Sequence, residues 1–221
     1  ARLRANPVPV TYRDGSTGEE ITETITADHV AGLVRMYAYM PAVGALLPQL
    51  IREASQGRYA NLMALAKMMQ GDLEESMSMG MQMSVICTED AASMVVRAED
   101  ADTVLGNRMV EGMAAMCEAW PKGDKPADFN NALEGDLPVL VLTGEFDPVT
   151  PPKYGEEIVK SLPKSRWLDL KGQGHSVLGA GCMPKLFAQF IEKADARALD
   201  AKCLDKLAYV PPFTSYNGWE P

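Results

Sequence analysis

The chain has 221 residues, 47% of them hydrophobic and 23% charged, enough for one generous domain or a domain with an insertion. Its net charge of −9, with no basic stripe, argues against nucleic-acid binding, which depends on Lys and Arg to neutralise phosphates. No apolar run approaches the roughly 18 residues that span a bilayer, the opening ARLRANPVPV lacks a signal-peptide pattern, and four cysteines with two histidines and no C-x-x-C pair make no zinc site.

Pro7, Pro9, Gly15 and Gly18 make residues 1–25 an irregular or short-strand opening. A helix follows, capped by Thr26 or Asp28, with Val30, Leu33, Val34 and Tyr37 on one face and Pro41 as its stop. A second helix is predicted from Val43 to Ser55, with Leu46, Leu47, Leu50 and Ile51 as its apolar stripe and Gly57 after it. Tyr59 to Met69 reads as a third, closed by Gly71, and 72–79 as a short fourth. With no strands between them, these helices look like an all-helical insertion. Met63, Met68, Met69, Met77, Met79, Met81 and Met83 cluster here. They read as gap-filling core, or as a pliable wall over a cleft.

Past Gly80 the character changes. Met83 to Cys87 is a β-prone run, and a helix is expected at about 104–118. A polar linker with Pro121, Gly123 and Pro126 leads to Pro138–Thr143, apolar throughout as expected of a parallel strand covered on both faces. Pro151 and Pro152 open a helix to about Ser161, since proline is tolerated in a first turn. Arg166–Leu170 is the next strand, and a helix runs from about Pro184 to Lys193. This alternation predicts a parallel α/β sheet. The tail from Tyr209 is too rich in proline and aromatics for a helix and reads as an extended arm. Cys87, Cys117, Cys182 and Cys203 leave either two disulfides or four buried thiols, and their spacing favours the local bridges Cys87–Cys117 and Cys182–Cys203.

Two loop motifs carry chemistry. GEFDPVTP follows the first predicted parallel strand and GQGHS the second, so each sets a reactive side chain beyond a strand's C-terminal end, where open α/β sheets bind ligands. A histidine there acts as a general base when an acid fixes its tautomer. Asp147 is the acid and His175 the base, one strand–helix–strand unit apart. Either motif alone is more often only a turn or loop; order, strand context and spacing together are far more specific.

The segments LPVLVLTGEFDPVTPP and GQGHSV resemble the final triad segments of α/β-hydrolases, in which the chain order is Ser, then Asp or Glu, then His. More narrowly, PVPVTYRDGSTGEE, LLPQLIREASQGRY, SVICTED, CEAWP and the Gly-Cys pair at 181–182 resemble secreted tripeptidyl-aminopeptidase and prolyl-iminopeptidase-like serine peptidases. The resemblance implies Asp147 as triad acid and His175 as triad base. It also implies paired Cys87, Cys117, Cys182 and Cys203, a secreted or periplasmic location, and no metal or organic cofactor. Glu89 and Glu145 are candidates for holding a substrate's α-ammonium.

The G-x-S-x-G nucleophile elbow is absent. Gly15 to Gly18 has the wrong spacing, and Ser55 lies in a predicted helix with Glu53 where the first glycine belongs. The expected fold is therefore α/β, the C-terminal half of an α/β-hydrolase. It has a helical cap region at 1–80 and, at 81–221, the last three parallel strands with flanking helices. Its expected partner is an N-terminal half that carries the serine, and its substrate a peptide. The strand at 83–87 would show an unpaired apolar edge, so the chain alone is expected to be poorly soluble and inactive. An esterase or other small-molecule hydrolase is the first alternative, and a non-catalytic binding protein the second.

Overall fold

The computed structural model describes residues 2–218, apart from the side chains of 2 and 69–76. In chain order it contains α1 (Arg2–Ala5), β1 (Val8–Arg13), β2 (Glu20–Ile25), α2 (Ala27–Ala38), α3 (Pro41–Gly44), α4 (Leu47–Ser55), α5 (Ala60–Ser76) and α6 (Met79–Val85). After a π-helical turn at Ile86–Asp90 come α7 (Arg108–Ala119), β3 (Val139–Gly144), α8 (Pro152–Ile158), β4 (Ser165–Leu170) and α9 (Met183–Lys193). The chain forms two compact units. The first combines Ala1–Leu33 with Ala54–Asn130, the second Val34–Glu53 with Asn131–Pro221.

In the first unit β1 and β2 pair antiparallel, from Val8 opposite Ile25 to Arg13 opposite Glu20. Val10 and Tyr12 alternate with exposed residues, so one face of β1 is buried. The Tyr12 hydroxyl donates to Glu23 at 2.8 Å. Burial, and then that carboxylate, push the phenol up to about 12. The connection is set by Asp14, whose Oδ1 accepts the N–H groups of Ser16 and Thr17.

The β-prone run at 83–87 is helical, a correction to the three-strand expectation. A run that short fits a buried strand or a buried helix equally well. Met83 and Cys87, one helical turn apart, are both buried, and Cys87 is bonded to Cys117 on α7. Trp120 Nε1 donates to Ser84 at 3.1 Å and the Gly123 N–H to Thr88 at 2.9 Å, which closes the same cluster. Two further boundaries differ. The helix at 60–76 runs through Gly71, because an interior glycine costs only about 1 kcal/mol. The helix expected at 43–55 is split into α3 and α4, and Pro48 sits in the first turn of α4, where a missing N–H is harmless. Its buried face is Gln49, Leu50 and Glu53, whereas Ile51 is 49% exposed. Among the clustered methionines Met63 and Met83 are core, while Met68, Met79 and Met81 are exposed; the side chain of Met69 lies outside the described residues.

In the second unit β3 and β4 pair parallel, Val139 with Ser165 through Gly144 with Leu170. These are two parallel strands rather than three, and among the described residues no strand lies on the other edge of β3. The pair, with its helices, fits the α/β class. Thr143 ties the strands one rung from their ends: it donates to Asp169 at 2.7 Å and accepts from Trp167 Nε1 at 2.8 Å. The core is built from Leu170, Val177, Met183, Leu186 and Leu199, with Leu140, Leu142, Leu168 and Phe190 packed against it. Cys182, at the start of α9, is bonded to Cys203.

The tail beyond 206 is free of helix as far as 218, and its last three residues lie outside the described ones. It returns to the 34–53 segment, with the Phe213 N–H donating to the carbonyl of Ala45 and the Tyr216 hydroxyl to Glu53 at 2.7 Å. Two disulfides are consistent with a secreted protein. Among the described residues no helix is long and apolar enough to cross a membrane.

Candidate active site

Because Gly144 and Leu170 share a rung, the loops that follow β3 and β4 leave the sheet side by side. They are laced together by main chain. The Glu145 N–H donates to the carbonyl of Leu170 and the Phe146 N–H to that of Gln173, while the Asp147 N–H turns back to Gly144. Several loop positions require glycine, Gly144 and Gly172 among them. A Cβ on Gly144 would lie 2.0 Å from the Gly174 carbonyl oxygen, and one on Gly172, which has φ of +70°, would lie 2.4 Å from the Tyr209 nitrogen.

This lacing brings Asp147 and His175 into contact. His175 Nδ1 lies 3.1 Å and 3.0 Å from the two carboxylate oxygens of Asp147. An ionised carboxylate only accepts, so Nδ1 carries the proton and donates it. The lone pair of the neutral ring is then on Nε2, and no hydrogen bond reaches that atom among the described residues. The two side chains differ in exposure, 3% for Asp147 and 40% for His175, so the acid is inside and the imidazole faces out.

Burial by itself would raise the Asp147 carboxyl. Hydrogen bonds outweigh it and hold the group below its ordinary value: the N–H groups of Thr150 and Val149, the Thr150 hydroxyl at 2.8 Å, and His175. Such a pair fixes the imidazole tautomer and leaves a basic nitrogen available to take a proton.

The other candidates fall elsewhere. Glu145 is beside the pair, but its Oε2 accepts the Gly172 N–H at 2.8 Å, so it braces the histidine loop. Glu89 lies in the other unit, on the π-helical turn, where its carbonyl accepts from Lys125 Nζ at 2.9 Å. Among the described residues no three His, Cys, Asp or Glu side chains converge as metal ligands.

Two participants had escaped the sequence reading. Thr150 had a local signal, since a threonine three residues after an aspartate in a loop is a common turn partner. Tyr39 had none. It lies on the distant 34–53 segment, its carbonyl accepts the His175 N–H at 2.9 Å, and its ring meets the imidazole edge-on at 5.2 Å between centroids.

Residues 102–203, which hold both loops, match a family model of the α/β-hydrolase class. That model is described as TAP-like protein, and the match supports an α/β-hydrolase superfamily member and a hydrolase. No curated protein and no solved structure matches the chain.

Proposed function

We propose that the chain supplies the acid and the base of a serine hydrolase, and that the serine comes from an N-terminal segment of the same protein outside this sequence. The observation that carries this reading is the buried Asp147 carboxylate hydrogen-bonded to Nδ1 of an imidazole whose Nε2 is left open. His175 takes the proton from the attacking serine hydroxyl and returns it to the leaving group, while Asp147 orients the ring and stabilises the imidazolium. The substrate class is peptides with a free N-terminus, cut by an exported exopeptidase; the resemblance in the triad, helical and cysteine segments supports it, as does the TAP-like match.

An esterase is the second reading. The Glu145 carboxylate, the one acidic candidate beside the pair, has Oε2 committed to the Gly172 N–H, so only part of it is left to hold an α-ammonium group.

The test is fluorophosphonate labelling and intact-mass analysis of the protein as isolated, followed by assays on aminoacyl-arylamides, tripeptidyl-arylamides and simple esters. Label on a serine outside this sequence, with arylamide turnover that falls on the order of 10⁴-fold in Asp147→Asn, is the expected result. Undiminished turnover in His175→Gln would refute the reading, and a preference for plain esters or N-blocked substrates would replace the exopeptidase by the esterase.

A further inference from the structure

The 34–53 segment touches the histidine loop more closely than packing alone requires. A Cβ on Gly174 would lie 2.2 Å from the Tyr39 carbonyl oxygen, so main chain meets main chain there with no side chain between. The next N–H along, that of His175, donates to the same carbonyl. The backbone of the histidine is thus fixed to Tyr39, and so is its ring, which the phenol meets at an interplanar angle of 74°. The phenol also carries the Arg35 guanidinium over its ring, with the guanidinium carbon 5.6 Å from its centroid, one helical turn earlier on α2.

A hydrogen bond from one ring nitrogen to Asp147 fixes that nitrogen but leaves the imidazole free to swing about its side-chain bonds. An edge-to-face aromatic neighbour removes that freedom, because such pairs favour one relative orientation. We propose that Tyr39 is a positioning residue for His175: together with Asp147 it confines the imidazole to the orientation that keeps the proton on Nδ1 and aims Nε2 outward. This rests on His175 being the base.

The experiment reads the imidazole directly. In ¹⁵N-histidine-labelled protein as isolated, the His175 ring signals are assigned by their loss in His175→Gln. Their nitrogen shifts at a pH where the ring is neutral then report the tautomer. Wild type and Tyr39→Phe should show the Nδ1–H form, whereas Tyr39→Ala and Tyr39→Leu should move toward a mixture with the Nε2–H form. In the same preparations Tyr39→Ala should lower kcat on the order of ten- to a hundredfold with a smaller change in KM, and Tyr39→Phe should restore it. Tyr39→Leu keeps most of the side-chain volume, so it covers the case in which the alanine variant does not fold.

Unchanged Nδ1–H shifts in both Tyr39→Ala and Tyr39→Leu would overturn the proposal, as would a phenylalanine variant as impaired as alanine. Asp147→Asn serves as the separate control. If it leaves the tautomer unmoved, the acid–base reading itself fails; if it moves the tautomer while the Tyr39 variants do not, only the positioning role fails.

Discussion

Asp147 receives hydrogen bonds from four donors on its two oxygens while its side chain is almost fully enclosed, so its charge depends on its neighbours. The carboxyl titrates below its ordinary value in the fold. Its stabilising contribution is therefore complete above the unfolded value of about 3.9 and is lost as pH falls through the lower folded value. Thr150→Ala deletes the hydroxyl donor, which should bring the folded value back toward the unfolded one and shift acid unfolding, followed by circular dichroism, to higher pH. The loss at neutral pH should be on the order of 1–3 kcal/mol, as for a hydrogen bond to a charged group. An acid transition that stays in place would show that the two backbone N–H groups suffice. At this scale the Asp147–His175 contact was legible, because both residues sit in short motifs directly after the strands. Tyr39 was not, because a backbone carbonyl acceptor has no residue type to betray it.

At the scale of elements, the glycines of the two loops are points of close approach. Gly174→Ala should force the histidine loop away from Tyr39 and Pro41 and cost about 1–3 kcal/mol or more, measured as a lower urea midpoint. A Gly18→Ala change meets no neighbouring atom and carries only the strain of φ at +73°, so it should be the milder of the two. The strands at 139–144 and 165–170 and the helix at 183–193 were legible within a residue or two, since long apolar runs and proline or glycine stops leave few alternatives. The run at 83–87 was not. Four or five apolar residues carry no decisive period, and the disulfide to α7, a contact distant in sequence, settles it as helix.

For the whole molecule, each compact unit contains one disulfide, Cys87–Cys117 in the first and Cys182–Cys203 in the second. Bridges that close loops of 30 and 21 residues should each contribute about 3–4 kcal/mol through the unfolded chain. Cys182→Ser paired with Cys203→Ser should lower the thermal midpoint of the second unit while protease resistance of the first persists. Simultaneous loss of both would show that the units unfold as one. The number of cysteines and their spacing made the pairing legible. The division of the chain was not, because it depends on contacts between segments far apart: 34–53 joins 131–221, and 54–130 joins the opening hairpin.

The main-chain seam between Gly174 and Tyr39 also governs how this site could be moved. A fragment cut at 130/131 would carry both strands, the acid and the imidazole, yet it would leave behind the carbonyl that receives the His175 amide. The stretch that matches the family model, 102–203, omits that carbonyl as well and takes in part of the other unit. Sequence homology and physical self-sufficiency therefore draw different borders here. A minimal transplant would need two strips of chain, 34–53 and 131–218, joined by a new connector, and a one-piece graft would arrive with its histidine unmoored.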